Sequence, residues 1–147
     1  TEQLDLNQII KEVIHVETPV NRVINFVPSQ CPKIPLRQTS IRRAIANLLQ
    51  NALRYSTGDI DVYSGVDTKL KKAYFIVSDH GEGIPEKDIE KLFQPFTQGD
   101  TARGGVGSGL GLAIIKRIIT GHNGTIELSN KEEGGLQAKV YLPLTNK

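Results

Sequence analysis

The sequence predicts an α/β two-layer sandwich: a mixed, largely antiparallel sheet with helices on one face. Three observations predict it. Apolar residues recur at helical spacing in well-separated segments, strand-like segments come in pairs joined by short turns, and the two kinds of segment are interleaved. The 147 residues suit a single domain, 1–147, long enough to bury a real core.

Leu6, Ile9, Ile10, Val13 and Ile14 mark a first helix, with Asp5 or Asn7 placed to cap it. Arg22 to Val27 reads as a strand and leads into a proline-rich stretch ending at Pro35. A long helix from Thr39 or Ser40 to Tyr55 carries its apolar face on Ile41, Ala44, Ile45, Leu48, Leu49 and Ala52. Strands near Ile60–Val66 and Ala73–Ser78 flank a basic hairpin loop holding Lys69, Lys71 and Lys72. Pro85 at a first turn favours a short helix over Glu86–Phe93. A glycine-rich segment follows, then an apolar helix ending near Gly121. Strands at Thr125–Ser129 and Gln137–Leu142 close the chain around a Gly134-Gly135 turn.

Composition narrows the function classes. Hydrophobic content of 38% and charged content of 23% are ordinary for a folded domain. A net charge of +2, without a basic run interleaved with aromatics, gives no footprint for nucleic acid. Cys31 is the single cysteine, which excludes an intrachain disulfide or a cysteine metal cluster. No apolar run approaches the ~18 residues of a membrane span, and no signal peptide is visible. The absence of methionine leads us to expect a domain cut from a longer protein.

Four segments carry chemistry. Six of the 14 glycines, at 99, 104, 105, 107, 109 and 111, fall within thirteen residues that run into the last helix. Such a loop ending at a helix N-terminus suits phosphate, or serves as a surface linker. It is not a P-loop, since no Gly-Lys pair occurs, and it lacks the Gly-x-Gly-x-x-Gly spacing of a dinucleotide turn. Asn47 and Asn51 share one side of the long helix, extended by Arg54 and Tyr55. They form either a hydrogen-bonded surface face or an oxygen-rich edge, with an amide oxygen for Mg²⁺ and the Arg54 fork for phosphate. Asp79-His80-Gly81-Glu82-Gly83-Ile84-Pro85 follows a strand directly. It fits an ordinary turn, or a pocket where Asp79 accepts from an exocyclic amine and glycines let a flat base lie against backbone. A carboxylate there would reject a base offering only a carbonyl, favouring adenine over guanine. Leu92 to Asp100 places Phe93 and Phe96 around Pro95, as core packing or as a clamp at the root of a mobile segment.

In order, Asn-x-x-x-Asn-Ala-x-Arg-Tyr, Asp-x-Gly-x-Gly-Ile, Phe-x-Pro-Phe and Gly-x-Gly-Leu-Gly-Leu match the N, G1, F and G2 boxes of sensor histidine kinases. The chain resembles their catalytic and ATP-binding domain, of the GHKL superfamily with the Bergerat ATP-binding fold. The run Phe-Gln-Pro-Phe-x-x-Gly-Asp-x-Ala-Arg looks like the osmosensor members.

The resemblance implies ATP and Mg²⁺ as cofactors, with Asn51 on the metal and Asn47 beside it. Arg54 and Tyr55 would face the phosphates, and Asp79 the adenine amine, with Gly81, Gly83 and Ile84 completing the base site. A lid at about 97–108, rooted at Phe96, would bring Gln98, Gly99, Arg103, Gly107, Ser108 and Gly109 to the nucleotide, followed by Leu110, Gly111 and Leu112. Gln98 stands where many relatives carry arginine. Leu136 stands where many carry a small hydroxyl residue, and is given no nucleotide role.

Hydrolases of the superfamily place a glutamate one helical turn before the magnesium asparagine. Here that position is Asn47, which cannot serve as a general base. A histidine acceptor needs none, because neutral imidazole already offers a lone pair. The expected function is therefore donation of the γ-phosphoryl group to a histidine on a separate dimerisation and phosphoacceptor hairpin. The alternatives are a self-contained ATPase or clamp, and a nucleotide-free interaction module. His15-Val16-Glu17-Thr18-Pro19 superficially resembles an acceptor box, but fourteen preceding residues leave no room for the hairpin. The expected setting is the cytoplasmic part of a bacterial inner-membrane sensor, homodimeric at full length and monomeric as this piece. A response regulator would be an indirect partner, with no nucleic acid.

Overall fold

The computed structural model describes residues 1–89, 93 and 110–145. In chain order these form β1 (Glu2–Leu4), α1 (Leu6–Glu17), β2 (Ile24–Pro28), β3 (Ile34–Leu36) and α2 (Gln38–Arg54). Then come β4 (Ile60–Asp67), β5 (Lys72–Ser78), α3 (Glu86–Ile89), α4 (Leu110–Gly121), β6 (Thr125–Asn130) and β7 (Leu136–Pro143).

Five strands make the main sheet in the order β2-β4-β5-β7-β6. Only β2 and β4 run parallel; every other pair in it is antiparallel. Alternation along the strands turns Ile60 and Val62, Ala73, Phe75 and Val77, and Ala138, Val140 and Leu142 into one buried layer. Against it lie α1, α2 and α4, with α2 packed between the other two. The expected two-layer α/β sandwich is the observed architecture.

Local chemistry accounts for the element ends. The Asp5 carboxylate accepts from Gln8 N–H (3.3 Å) and caps α1. The N-cap residue of α2, Arg37, makes no side-chain capping hydrogen bond; instead its N–H donates to His122 Nε2 (3.0 Å), tying that start to the end of α4. Asp67 Oδ1 accepts from the Lys69 and Leu70 N–H groups and closes the basic hairpin.

Two features differ from expectation. The proline-rich stretch contains β3, which pairs antiparallel with β1 as a separate two-stranded sheet; three residues per strand give periodicity too little to register. Strand β2 begins at Ile24 rather than Arg22, because the Arg22 guanidinium turns back to the end of α2. Its Nη1 donates to Leu53 O (3.0 Å), and its Nη2 to Ser56 O and Gly58 O (3.0 Å each). A cation on the carbonyls at and just beyond the helix end stabilises that terminus.

Candidate functional site

A cleft opens where the C-terminal half of α2 and the first turn of α4 meet the ends of β5, β6 and β7. Leu48, Asn51, Ala52 and Tyr55 line it from α2 and its cap, and Leu112 from α4. The sheet side supplies Val77, Asp79, Leu128, Leu136 and Ala138. The cleft is narrow, with a cavity volume of about 20 Å³, and apart from Asn51, Tyr55 and Asp79 its walls are aliphatic.

Asp79 is 3% exposed, and its surroundings orient it. Oδ1 accepts from Gly81 N–H (2.9 Å) and Leu136 N–H (3.0 Å), while Asp79 N–H donates to Leu136 O (3.0 Å). Oδ2 receives no hydrogen bond among the described residues. A buried carboxylate with one oxygen satisfied by backbone and the other open is an acceptor fixed in direction.

The glycines around it serve close packing of the chain on itself. A Cβ at Gly81 would strike the carbonyl oxygen of Tyr55, and one at Gly135 the carbonyl of Asp79. Gly83 adopts φ +80°, a region that favours glycine. The structure thus gives Gly81 and Gly83 a reason of their own, beside the flat base that the sequence suggested for them.

The α2 side is less finished. Asn51 Nδ2 is buried and has no hydrogen-bond partner among the described residues, a costly state for an amide. Gly111 faces it, a Cβ there lying 4.0 Å from Asn51 Oδ1. Tyr55 ends the helix, its N–H donating to Asn51 O (3.0 Å). Asn47, one turn earlier, is half-buried and outside the cleft lining; Arg54 is exposed at the rim. No group of three or more His, Cys, Asp or Glu side chains among the described residues is arranged to hold a metal. A cation here would rest on an amide oxygen and on the ligand's own oxygens. Asn51 Oδ1, on the side of Gly111, is the oxygen that would meet that demand, while the unpaired Nδ2 calls for an acceptor.

Behind the Asp79 loop, His80 Nε2 lies 2.9 Å from Asp61 Oδ2, and Asn25 Nδ2 donates to Asp61 Oδ1 (3.1 Å). Burial pushes the Asp61 carboxyl upward, but the Asn25 and His80 hydrogen bonds outweigh it and hold the group below the usual carboxylate range.

The structure therefore brings Asn51, Tyr55, Asp79 and Leu112 to one cleft, with Gly81, Gly83, Ile84 and Gly111 in the adjoining backbone. Leu110 opens α4. Phe96, Gln98, Gly99, Arg103, Gly107, Ser108 and Gly109, with the lid expected at 97–108, lie outside the described residues. Sequence reasoning missed Leu48, Ala52, Val77, Leu128, Ala138 and above all Leu136. The first two signalled themselves only as core positions of α2.

The model of the "Histidine kinase-, DNA gyrase B-, and HSP90-like ATPase" family matches residues 37–146, a span containing every residue of this cleft. The chain belongs to that family. Within it, the chain is the catalytic-domain type of sensor histidine kinases. It is 33% identical over 153 residues to the sensor histidine kinase CpxA of Escherichia coli, covering 98% of this chain and 33% of that protein. It is 32% identical to the sensor histidine kinase GtrS of Pseudomonas aeruginosa, covering 97% of this chain and 29% of that one. The chain thus spans about a third of the length of these relatives. Among solved structures, the histidine kinase domain of the E. coli osmosensor EnvZ superposes with TM-score 0.75 at 42% identity, over 97% of this chain and 88% of that one. The nucleotide-free catalytic domain of the histidine kinase ThkA gives TM-score 0.79 at 30% identity, over 99% and 96%.

Proposed function

We propose that this domain binds Mg-ATP in the α2–α4 cleft and presents its γ-phosphoryl group to a histidine on a dimerisation and phosphoacceptor hairpin of the same sensor protein. The observation that carries the nucleotide reading is Asp79: a buried carboxylate, pinned on one oxygen by two backbone N–H groups and open on the other. Aliphatic walls suit a flat base, and Oδ2 suits its exocyclic amine. Asn51 supplies the amide oxygen for magnesium, while Arg54 and Tyr55 stand at the phosphate end. When bound, magnesium neutralises phosphate charge and orients the chain.

For transfer, the domain need only position and shield charge. The acceptor imidazole's lone pair forms the N–P bond. The bond from the γ-phosphorus to the bridging oxygen breaks, and ADP leaves with that electron pair. Asn47 occupies the turn before Asn51 and offers no base for water, which favours transfer to histidine over hydrolysis. We extend the proposal to a single domain closed by a lid at 97–108, to the cytoplasmic side of a bacterial inner-membrane sensor, to a homodimeric full-length protein, and to a response regulator downstream.

Mixing the domain with its separately produced hairpin and γ-labelled ATP tests this. Acid-labile, base-stable label on the hairpin supports the proposal. Rapid phosphate release without label on the hairpin supports the self-contained ATPase instead.

A further inference from the structure

The loop that carries Asp79 is tied at both ends to the β6–β7 hairpin. Its near end is held through Leu136, as described above. Its far end is held by Asn130, the last residue of β6, which none of the four boxes contains. Asn130 Oδ1 accepts from Ile84 N–H (2.9 Å), and Asn130 Nδ2 donates to Ile84 O (2.6 Å). One side-chain amide thus satisfies both backbone groups of a single residue, as a neighbouring strand does. The same Nδ2 lies 3.5 Å from Glu86 Oε1 in the first turn of α3. On β6, Asn130 sits two residues beyond Leu128, on the same face, and Leu128 lines the cleft. A Cβ at Gly83 would meet Asn130 Oδ1 at 2.5 Å, so the amide occupies the space a side chain at 83 would need. Lys131 reinforces the frame: its Nζ donates to the buried Ser78 hydroxyl (2.7 Å), at the strand end just before Asp79.

We infer that Asn130 is a positioning residue for the nucleotide site. Its amide fixes the reach of the 79–84 loop, so that Gly81 N–H stays on Asp79 Oδ1 and Oδ2 stays turned to the cleft. It also makes glycine necessary at position 83, in addition to the backbone angle there. This inference rests on the ATP reading of the cleft; its own content is that a residue outside the motifs sets base affinity. Asn130 acts at the base end, so its loss affects every adenine ligand alike, whatever phosphates the ligand carries.

The test compares the unmodified domain with Asn130→Ala, Gly83→Ala and the double variant. Calorimetry with Mg-ATP, Mg-ADP and adenosine is done well below each thermal midpoint, with hydrogen exchange read at Ile84. Asn130→Ala is expected to weaken all three ligands by a common factor of about tenfold, the scale of a lost buried hydrogen bond, and to speed exchange at the Ile84 amide. Gly83→Ala weakens ATP on its own. Added to Asn130→Ala, it weakens ATP by a smaller factor, because the Oδ1 clash is gone. A purely structural role lowers the thermal midpoint but leaves ATP affinity within twofold, and that result overturns the inference. So does strict additivity of the two substitutions across the four proteins; if Asn130→Ala proves poorly soluble, Asn130→Asp, which still accepts from Ile84 N–H but cannot donate to Ile84 O, takes its place with a loss in the same direction. If the unmodified domain binds no adenine ligand, the ATP reading itself fails and the inference falls with it. That failure is distinguished by appearing before any substitution is made.

Discussion

The two ends of the cleft are built in contrasting ways. At the sheet end, Asp79 is buried and held by two backbone N–H groups from separate segments, and the walls around it are aliphatic. At the helix end, Asn51 keeps a buried amide nitrogen without a partner, and Arg54 reaches solvent. At the first end the direction of the acceptor is set before any ligand arrives, and under the proposed function it discriminates by that one directed acceptor. The second leaves a buried N–H donor without a partner among the described residues, and under the proposed function it supplies affinity for charge. Under the proposed function, selectivity rests on backbone, and phosphate and metal binding on side chains of one helix.

Removing the acceptor at the sheet end breaks this contrast most strongly. Asp79→Asn keeps an oxygen for the Gly81 and Leu136 N–H groups but turns an N–H₂ donor toward the base amine. Mg-ATP affinity should fall about a hundredfold, the upper range for a mispaired buried polar group, with the fold retained. Calorimetry together with far-UV circular dichroism reads both quantities. At the helix end, Asn51→Ala should weaken ATP about tenfold in magnesium, the scale of one lost ligand or charged hydrogen bond, and less than threefold in EDTA. Equal losses in the two buffers would remove Asn51 from the metal.

Away from both ends, His122 provides a control. The residue is 8% exposed; Nε2 accepts from Arg37 N–H, and Nδ1 lies 2.8 Å from Ile118 O, so Nδ1 carries the hydrogen. His122→Ala should cost about 1–2 kcal/mol of stability in denaturant titrations and leave ATP affinity within twofold. Nitrogen NMR of the ring should show the Nδ1–H tautomer. The smallest effect concerns Asp61. Its folded-state pKa is depressed, so its contribution is fully present above the ordinary carboxylate pKa and fades as pH falls through the lower folded value. Asp61→Asn should therefore flatten the acid limb of the stability–pH curve, lowering stability slightly at neutral pH and converging with the unmodified domain at low pH.

What the sequence revealed follows from the range of the interactions concerned. Helices α1, α2 and α4 and both hairpins announce themselves through local periodicity, and Asn51 and Asp79 through motif spacing. Leu136 did not, because its contribution is a backbone N–H, which any residue but proline supplies. Asn130 was silent for a related reason. Its partner Ile84 lies 46 positions away, and nothing in a Ser-Asn-Lys run indicates which distant backbone it meets. Arg22 read as part of a strand because its tie to the α2 carbonyls spans more than thirty residues. β1 and β3 escaped notice because three-residue strands carry almost no pattern.

The central claim is that a carboxylate fixed by backbone selects an adenine base in this cleft. Parallel calorimetric titrations of the unmodified domain with Mg-ATP and Mg-GTP test it most directly. One ATP site is expected, with GTP weaker by about a hundredfold or more, because the guanine carbonyl would face Asp79 Oδ2 unpaired. Equal affinity for the two nucleotides, or no ATP binding at all, would contradict it.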